Sequence, residues 1–367
     1  MVSFDPEIPF DLPELPPAIN FEAPNLLKLI AKARTELGEL KGFASALPNP
    51  MILLSPAIIK ESVASSKIEN INTTVSHVLQ QSLFPEYERD DYDKEVLRYR
   101  NAVELGFYEL RRFPISHRLI EKVHTELMSG KESGFRKLQN KIINSNTGEP
   151  IYTPPIASKI PILVSNLEKF LNENKDGIDP LLKCAISHYQ FEAIHPFLDG
   201  NGRTGRILMV LYLIQTKILS LPILYLSGYI NNNRSRYYEL LSNVSRNGNW
   251  DQFLEFMLNA FYLQAKATKN LLFKIIELYQ TYKMEISMDR PKLAKSGIVE
   301  AMFSSPMLSP VSLAERINVH YTTATRYLAE LKDAKYLVDM NYGKYHLFIN
   351  KSLLEVLQEE NFSDGSD

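Results

Sequence analysis

A short run near the middle of the chain combines the residue types that bind phosphate. Residues 195 to 206 read His-Pro-Phe-Leu-Asp-Gly-Asn-Gly-Arg-Thr-Gly-Arg. His195 is a titratable base, and Asp199 offers a hard oxygen ligand of the kind that Mg²⁺ shares with phosphate oxygens. The three glycines allow backbone N–H groups to converge on an anion without obstruction by side chains. We therefore predict a phosphate-binding loop here.

Two arginines at the start of the following helix pattern strengthen this prediction. A helix N-terminus carries partial positive charge and normally attracts acidic residues rather than Arg203 and Arg206. A bound polyphosphate would satisfy both arginines together with the unpaired N–H groups of the helix end.

The alternative is a structural turn. A Gly-Asn-Gly turn between helices is common, and each of these residues alone is more often structural than catalytic. Their joint occurrence favours a functional site.

Apolar helix patterns on both sides must hold this loop in place. Upstream, Asp179 and Pro180 are typical of an N-cap and a first helical turn. Apolar residues then recur at helical spacing up to His195, namely Leu182, Ala185, Ile186, Tyr189 and Ala193. Downstream, residues 207 to 214 predict a buried helix whose first turn holds both arginines.

The run resembles the signature of the Fic (filamentation induced by cAMP) family, His-x-Phe-x-(Asp/Glu)-Gly-Asn-Gly-Arg-x-x-Arg, at every specified position. The resemblance implies an enzyme that transfers AMP from ATP to a Ser, Thr or Tyr hydroxyl of target proteins and of itself. It implies a phosphate-binding segment made of Asp199, Gly200, Asn201, Gly202, Arg203, Thr204, Gly205 and Arg206.

The resemblance also implies individual roles. His195 would be the general base and Asp199 the Mg²⁺ ligand. Asn201, with the backbones of the glycines on either side, would cradle the α- and β-phosphates. Arg203 and Arg206 would bind the outer phosphates, with Arg206 at the γ-phosphate.

A second motif precedes the signature. Within a helix pattern predicted between residues 55 and 74, Ser65 and Glu69 lie one helical turn apart, and Asn70 follows. The segment resembles the inhibitory motif (Ser/Thr)-x-x-x-Glu-(Gly/Asn) of many Fic proteins. The resemblance implies that Glu69 reaches Arg206, neutralises it and stops the γ-phosphate from docking productively. The alternative is a solvated serine and glutamate on a helix surface.

Two further segments could contact ligands. Residues 129 to 155 hold turn residues, among them Gly130 and Asn146, and short β-like pieces at 141–143 and 151–153, which predicts a hairpin. Fic proteins carry a hairpin flap that aligns the target by strand addition, and here it would include Asn140, Lys141, Ile142 and Ile143. A plain surface hairpin is the alternative. Tyr237 and Tyr238 are either core aromatics or, by the resemblance, adenosine contacts.

The C-terminal part has the spacing of a helix-turn-helix. Helix patterns at 312–317 and 321–334 flank a short turn, and strand-like segments at 336–340 and 345–349 complete a winged-helix pattern. The second helix would present Thr322, Thr323, Thr325 and Arg326 to solvent. From residue 312 to residue 346, basic residues barely outnumber acidic ones, so DNA binding, protein docking and self-association as a homodimer all remain open.

These patterns predict a mainly α fold: a Fic-type helical domain with a β-hairpin flap, followed by a winged helix-turn-helix domain. The boundaries would be 1–95 for an arm and helices with the inhibitory motif, 96–285 for the catalytic domain and 291–367 for the C-terminal domain. The proline-rich first 20 residues predict an extended arm, either lying over the domain or loose, to which we assign no chemistry.

Composition narrows the classes of function. The 367 residues carry a net charge of −2, which implies no general attraction to nucleic acid or anionic membranes. A single cysteine, Cys184, and the lack of a signal or an apolar spanning run predict a cytoplasmic protein. Metal binding by Cys184, His188 and His195 has little support, because Cys184 lies in an apolar helix pattern.

Two classes of function compete. One is an adenylyltransferase that uses ATP and Mg²⁺ and is inhibited by Glu69. The other is a nucleotide-sensing winged-helix transcription regulator. The intact His195 favours the enzyme, since a sensor needs phosphate donors but no base. Use of another nucleotide donor such as UTP, and removal of AMP, stay open.

Overall fold

The computed structural model describes residues 4–45, 50–129, 134–144 and 147–359, with the backbone alone at 50–54 and 57. Up to residue 289 the helices are α1 Pro24–Ser45, α2 Pro50–Ile68, α3 Val75–Gln81, α4 Asp91–Glu109, α5 His117–Leu127, α6 Ile160–Asn172, α7 Pro180–Ile194, α8 Asn201–Gln215, α9 Leu226–Asn232, α10 Arg234–Asn247 and α11 Trp250–Asp289. Short 3₁₀ helices cover Glu86–Glu88 and Ala157–Lys159. The predicted mainly α fold is confirmed.

Helices α7 and α8 pack against each other in the core, and both are buried along most of their length. The N-terminus of α7 forms as the residue types predict. The Asp179 side chain accepts a hydrogen bond from the Leu181 N–H at 2.8 Å, and Pro180 is the first helical residue. The core therefore fixes both ends of the loop at 195–200.

Left-handed backbone conformations mark both ends of that loop. His195 ends α7 with a φ of 48°, and Gly200 precedes α8 with a φ of 74°. A β-carbon at Gly200 would lie 2.9 Å from the sulfur of Met128. The left-handed backbone conformation therefore favours glycine, and a larger residue would also have to move the flexible Met128 side chain.

The N-terminal arm lies over the domain, which is one of the two expected arrangements. The N–H of Phe10 donates to the carbonyl of Thr153 at 2.9 Å, and the N–H of Leu15 donates to Asn166 at 2.8 Å. The side chain of Leu15 is buried. The arm therefore lies along the hairpin and α6. The residues between its prolines keep their backbone N–H groups, and these groups donate the hydrogen bonds that hold the arm in place.

Two element boundaries differ from the sequence pattern. The helix pattern predicted between 55 and 74 ends at Ile68, because Asn70 takes a left-handed φ of 65°, which asparagine tolerates. The hairpin strands are β1 Ile142–Ile143 and β2 Pro150–Tyr152, which are antiparallel with an irregular register. The turn residues Gly130 and Asn146 lie outside the described residues.

The C-terminal part consists of helices and a small three-stranded sheet. Its elements are α12 Pro291–Ala294, α13 Ile298–Ser304, β3 Met307–Leu308, α14 Pro310–Ile317, α15 Tyr321–Asp333, β4 Val338–Tyr342, β5 Tyr345–Ile349 and α16 Lys351–Gln358. The strands are antiparallel in the order β3-β5-β4. Asn318, with a φ of 53°, makes the turn between α14 and α15.

The β4–β5 hairpin docks on the segment that follows α3. Phe84 is buried and stacks on Tyr345, with ring centroids 4.4 Å apart. The Glu88 carboxylate accepts hydrogen bonds from Tyr345 at 2.6 Å and Lys344 at 2.7 Å. Helix α13 packs against α2. The C-terminal part therefore covers the helix that carries Ser65, and its hairpin tip is occupied by the protein's own helices.

We expect Phe84→Ala to undock this hairpin. Removal of a buried aromatic ring typically costs about 3–5 kcal/mol, and it also removes the stack on Tyr345. The measurement is the thermal unfolding midpoint, with Phe113→Ala as a matched control because Phe113 is 62% exposed. Surface changes usually alter stability by about 0.5 kcal/mol or less. Equal midpoint shifts in the two variants would contradict the docking.

Within the described ranges, none of the helices has the length and apolar composition that a membrane span needs.

Candidate active site

A cavity of about 780 Å³ lies between the β1–β2 hairpin, the 195–206 segment and α10. It brings together predicted residues that are far apart in sequence: Glu69, Ile142, Ile143, His195, Gly202, Arg206, Tyr237 and Tyr238. The other predicted residues lie outside its lining, namely Ser65, Asn140, Lys141, Asp199, Gly200, Asn201, Arg203, Thr204 and Gly205. The cavity is large enough for a nucleotide.

The imidazole of His195 is half-buried at the end of α7 and lines the cavity. Burial lowers its pKa to about 4, so the ring is neutral near pH 7. Nδ1 lies 3.3 Å from the backbone carbonyl of Glu192, which favours a proton on Nδ1 and leaves Nε2 as the acceptor. The ring is therefore arranged to accept a proton.

Arg206 is held by both residues of the second motif. Its Nε donates to the hydroxyl of Ser65 at 2.8 Å, and its Nη2 donates to the Ser65 carbonyl at 3.0 Å and to Glu69 Oε1 at 2.8 Å. The guanidinium is 1% exposed. Burial opposes ionisation of Glu69, but Arg206 outweighs it and holds the pKa of that carboxyl below its usual range. The pair is therefore ionised in a largely dry setting.

The surrounding backbone allows this contact. Glu69 lies in the turn directly after α2 rather than within the helix, and the left-handed conformation of Asn70 closes that turn. Arg234 donates to the Asn70 side chain at 2.9 Å. A β-carbon at Gly202 would lie 2.3 Å from Glu69 Oε1, so the absence of a side chain there makes room for the carboxylate.

Arg203 is held in an ion pair in this structure, and its expected role at an outer phosphate stays a prediction. Its side chain is 2% exposed and forms an ion pair with Glu95 of α4, outside the cavity lining. Asp199 Oδ1 lies 3.7 Å from its Nη2. Burial lowers the pKa of Arg203 to about 10. The physical reason is that a buried cation requires an anion, and Glu95 is the carboxylate that α4 brings to it.

The side chain of Asn201 closes the loop rather than facing the cavity. Its oxygen accepts from the N–H of Phe197 and its amide donates to the carbonyl of Phe197, both at 2.9 Å. The amide oxygen and one of the two amide N–H donors are therefore used within the loop, which fixes the Asn201 side chain there. Thr204 is fully buried, and Gly205 makes room for the carboxylate of Glu192.

Asp199 fits the ligand chemistry of Mg²⁺. Its side chain is 68% exposed, just before the start of α8, and one of its oxygens accepts the N–H of Gly200 at 2.6 Å. Mg²⁺ usually takes one or two protein carboxylates and fills its other positions with waters and substrate phosphates. A single accessible carboxylate is therefore a sufficient protein ligand set.

The two tyrosines occupy different environments. Tyr237 is 2% exposed, and its hydroxyl lies 2.7 Å from His188 Nε2. Tyr238 is 43% exposed, and the guanidinium of Arg234 lies 5.7 Å from its ring centroid. Tyr238 therefore offers the accessible aromatic face, whereas Tyr237 is part of the packed wall.

Sequence reasoning missed several groups at the site. Phe4 of the arm lines the cavity, although we had assigned the arm no chemistry, and it stacks on Tyr152 with centroids 6.3 Å apart. Glu192 also lines the cavity, and burial raises the pKa of its carboxyl to about 8. Its one sequence signal is an acid on an otherwise apolar helix face, three residues before His195. Glu95 offers no such signal.

Three family models match successive parts of the chain. They are described as Fic/DOC family N-terminal over residues 27–108, Fic/DOC family over residues 114–213, and protein adenylyltransferase SoFic-like, C-terminal domain, over residues 278–353. The chain belongs to the Fic family. The second match contains the whole Fic signature, and the first contains Ser65 and Glu69.

Individual Fic relatives agree with this assignment. A probable protein adenylyltransferase of Aquifex aeolicus is 28% identical over 183 residues, which are 47% of this chain and 52% of the relative. The protein adenylyltransferase Fic of Drosophila virilis is 29% identical over 173 residues, or 43% of this chain and 34% of the relative. The chain thus spans about half or less of the length of these two relatives.

Solved Fic structures share the fold. A Fic family protein from Desulfovibrio desulfuricans aligns with a TM-score of 0.59 at 20% identity, over 91% of this chain and 98% of the other. Fic-1 from C. elegans aligns with a TM-score of 0.51 at 17% identity, over 70% and 75%. At these identities the likeness concerns the Fic fold alone.

Proposed function

We propose that this protein is an adenylyltransferase, which transfers AMP from ATP to a hydroxyl side chain of target proteins and of itself. One observation carries the proposal: a neutral His195 and the paired Arg206 and Glu69 line one nucleotide-sized cavity. The names of the Fic relatives support the same reaction. A nucleotide sensor would need no base.

The roles follow from the geometry. Nε2 of His195 accepts the proton of the target hydroxyl, whose oxygen attacks the α-phosphorus and displaces pyrophosphate. Backbone N–H groups at the start of α8, with Arg206, bind the phosphates and stabilise the charge that develops on pyrophosphate. Asp199 would hold Mg²⁺, which supplies further neutralisation of the phosphates.

Glu69 holds this reaction off in the proposed mechanism. Its carboxylate occupies the guanidinium that would otherwise bind the γ-phosphate, and Ser65 fixes the same group from the end of α2. An incoming polyphosphate must displace this ionised carboxylate from the buried Arg206 before it can take the productive position. The segment after α2 therefore acts as the inhibitor of the site.

Target binding and domain division complete the proposal. The edge of β1 at Ile142 and Ile143, which lines the cavity, would align an extended target segment by backbone hydrogen bonds. Tyr238 would contact the adenosine.

The division into 1–95, 96–285 and 291–367 is kept as a proposal, and the docked β4–β5 hairpin favours protein docking over DNA binding for the last unit.

The test is the intact mass of the protein and of candidate targets after incubation with ATP and Mg²⁺. A gain equal to the mass of one AMP on the protein or a target supports the proposal. UTP in a parallel incubation examines the choice of donor. A gain equal to a phosphate group would instead indicate a kinase.

A further inference from the structure

The first arginine of the signature is also buried and paired with a carboxylate. Arg203 is 2% exposed, paired with Glu95, and its Nε has no hydrogen-bond partner among the described residues. A buried guanidinium with an unused donor is expensive unless a ligand completes it. Directly beside the cavity lining there is therefore a second buried cation, and its contacts with Glu95 and Asp199 leave a donor unused.

The two arginines are held in the same way by separate segments. Glu69, after α2, pairs with Arg206, and Glu95, on α4, pairs with Arg203. Each carboxylate supplies the negative charge that a phosphate oxygen would supply. Because the two arginines lie one turn apart on α8, adjacent phosphates of one nucleotide could replace both carboxylates.

Glu95 has a second cation within reach on its own helix. Its side chain is 26% exposed and also faces an outer cleft lined by Lys94, Arg98 and Glu86. Arg98 lies three residues further along α4, on the same face. The present partner of Arg98 is Glu86, at a long 3.5 Å, and the Glu86 side chain is 70% exposed. The Arg98 guanidinium can therefore pair with the Glu95 carboxylate, because little free energy is lost when its long contact with Glu86 breaks.

We propose that Glu95 is a second inhibitory carboxylate, which occupies Arg203 until a nucleotide phosphate displaces it and turns it outward to Arg98. The inference rests on the proposed function, since it names the group that a nucleoside diphosphate must displace. Glu69 opposes the γ-phosphate, whereas Glu95 opposes the phosphate next to it. The two carboxylates thus inhibit different parts of one ligand.

Calorimetric titration with ADP and with ATP, each with Mg²⁺, separates the two carboxylates. Glu95→Gln removes the charge but keeps the shape, so we expect affinity for both nucleotides to rise by about tenfold or more, the value of one charge-assisted hydrogen bond. Glu69→Gly should raise ATP affinity and leave ADP affinity unchanged. Glu95→Gln combined with Arg203→Ala should lose the gain.

Two further variants test whether a change in nucleotide affinity is specific to Glu95 and its outer partner. Glu104→Gln is the matched control, because Glu104 is on the same helix and pairs with Arg100 at 3.7 Å, away from the site. It should change neither affinity. Arg98→Ala removes the outer partner on a partly exposed surface, and we expect ADP affinity to fall.

The outcomes are distinguishable. If Glu95→Gln binds ADP no more tightly than the parent, or if Arg98→Ala binds ADP as the parent does, Glu95 is only an anchor for α8 and the inference is wrong. If neither the parent nor any variant binds ADP or ATP, the proposed function itself is wrong, and the inference falls with it.

Discussion

Glu69→Gly should incorporate AMP from ATP about 10²-fold faster than the parent. Loss of the carboxylate frees Arg206 for the γ-phosphate and lets the α-phosphate lie in line with the target hydroxyl, and a misplacement of about an ångström can cost about 10²-fold in rate. Glycine is tolerated structurally because Glu69 lies in the turn after α2 rather than inside the helix. Incorporation from labelled ATP measures the effect.

Two controls accompany Glu69→Gly. Glu69→Gly combined with Arg206→Ala should lose the gain, because the freed arginine is what the first substitution supplies. Glu22→Gly removes an exposed glutamate from the arm and should leave incorporation unchanged. Equal incorporation in the parent and in Glu69→Gly would mean that the ion pair is a structural contact without an inhibitory role.

His195→Ala should abolish transfer while ATP still binds. The ring acts on the target hydroxyl, whereas the phosphates are held by the start of α8 and by Arg206, so binding and chemistry separate. General base catalysis contributes about 10²–10⁴-fold, and the loss is best seen in the Glu69→Gly background. Titration with ATP checks binding, and label incorporation checks transfer.

The His195→Ala experiment has two opposing outcomes. Full incorporation by the variant would remove His195 from the mechanism. Loss of ATP binding together with transfer would assign it a structural role at the end of α7, where its left-handed backbone conformation favours residues other than alanine. His195→Asn, which tolerates that conformation, distinguishes the two explanations.

Local patterns predicted the elements that hold the site. The Asp179–Pro180 pair starts α7, and the apolar spacing that follows forms the buried core. The start of α7 depends on residue types at short spacing, which a sequence displays directly. The resemblance to the Fic inhibitory motif implied that Glu69 reaches Arg206, and the structure brings their atoms to 2.8 Å.

Contacts that depend on how the helices pack could not be predicted from local sequence patterns. The pairing of Arg203 with Glu95 depends on how α4 packs against α8, and nothing near Glu95 marks it as different from its charged neighbours. Helix α2 ends at Ile68 because Asn70 takes a left-handed conformation, although the helix pattern in the sequence continues past Asn70. The wall formed by Phe4 depends on where the arm crosses the hairpin.

The central claim is that the cavity transfers AMP once Arg206 is free. The most direct measurement compares Glu69→Gly incubated with Mg²⁺ and ATP labelled at the α-phosphorus with the same variant incubated with ATP labelled at the γ-phosphorus. We predict protein-bound label from the α-position and none from the γ-position. Label from the γ-position, or from neither, would contradict the account.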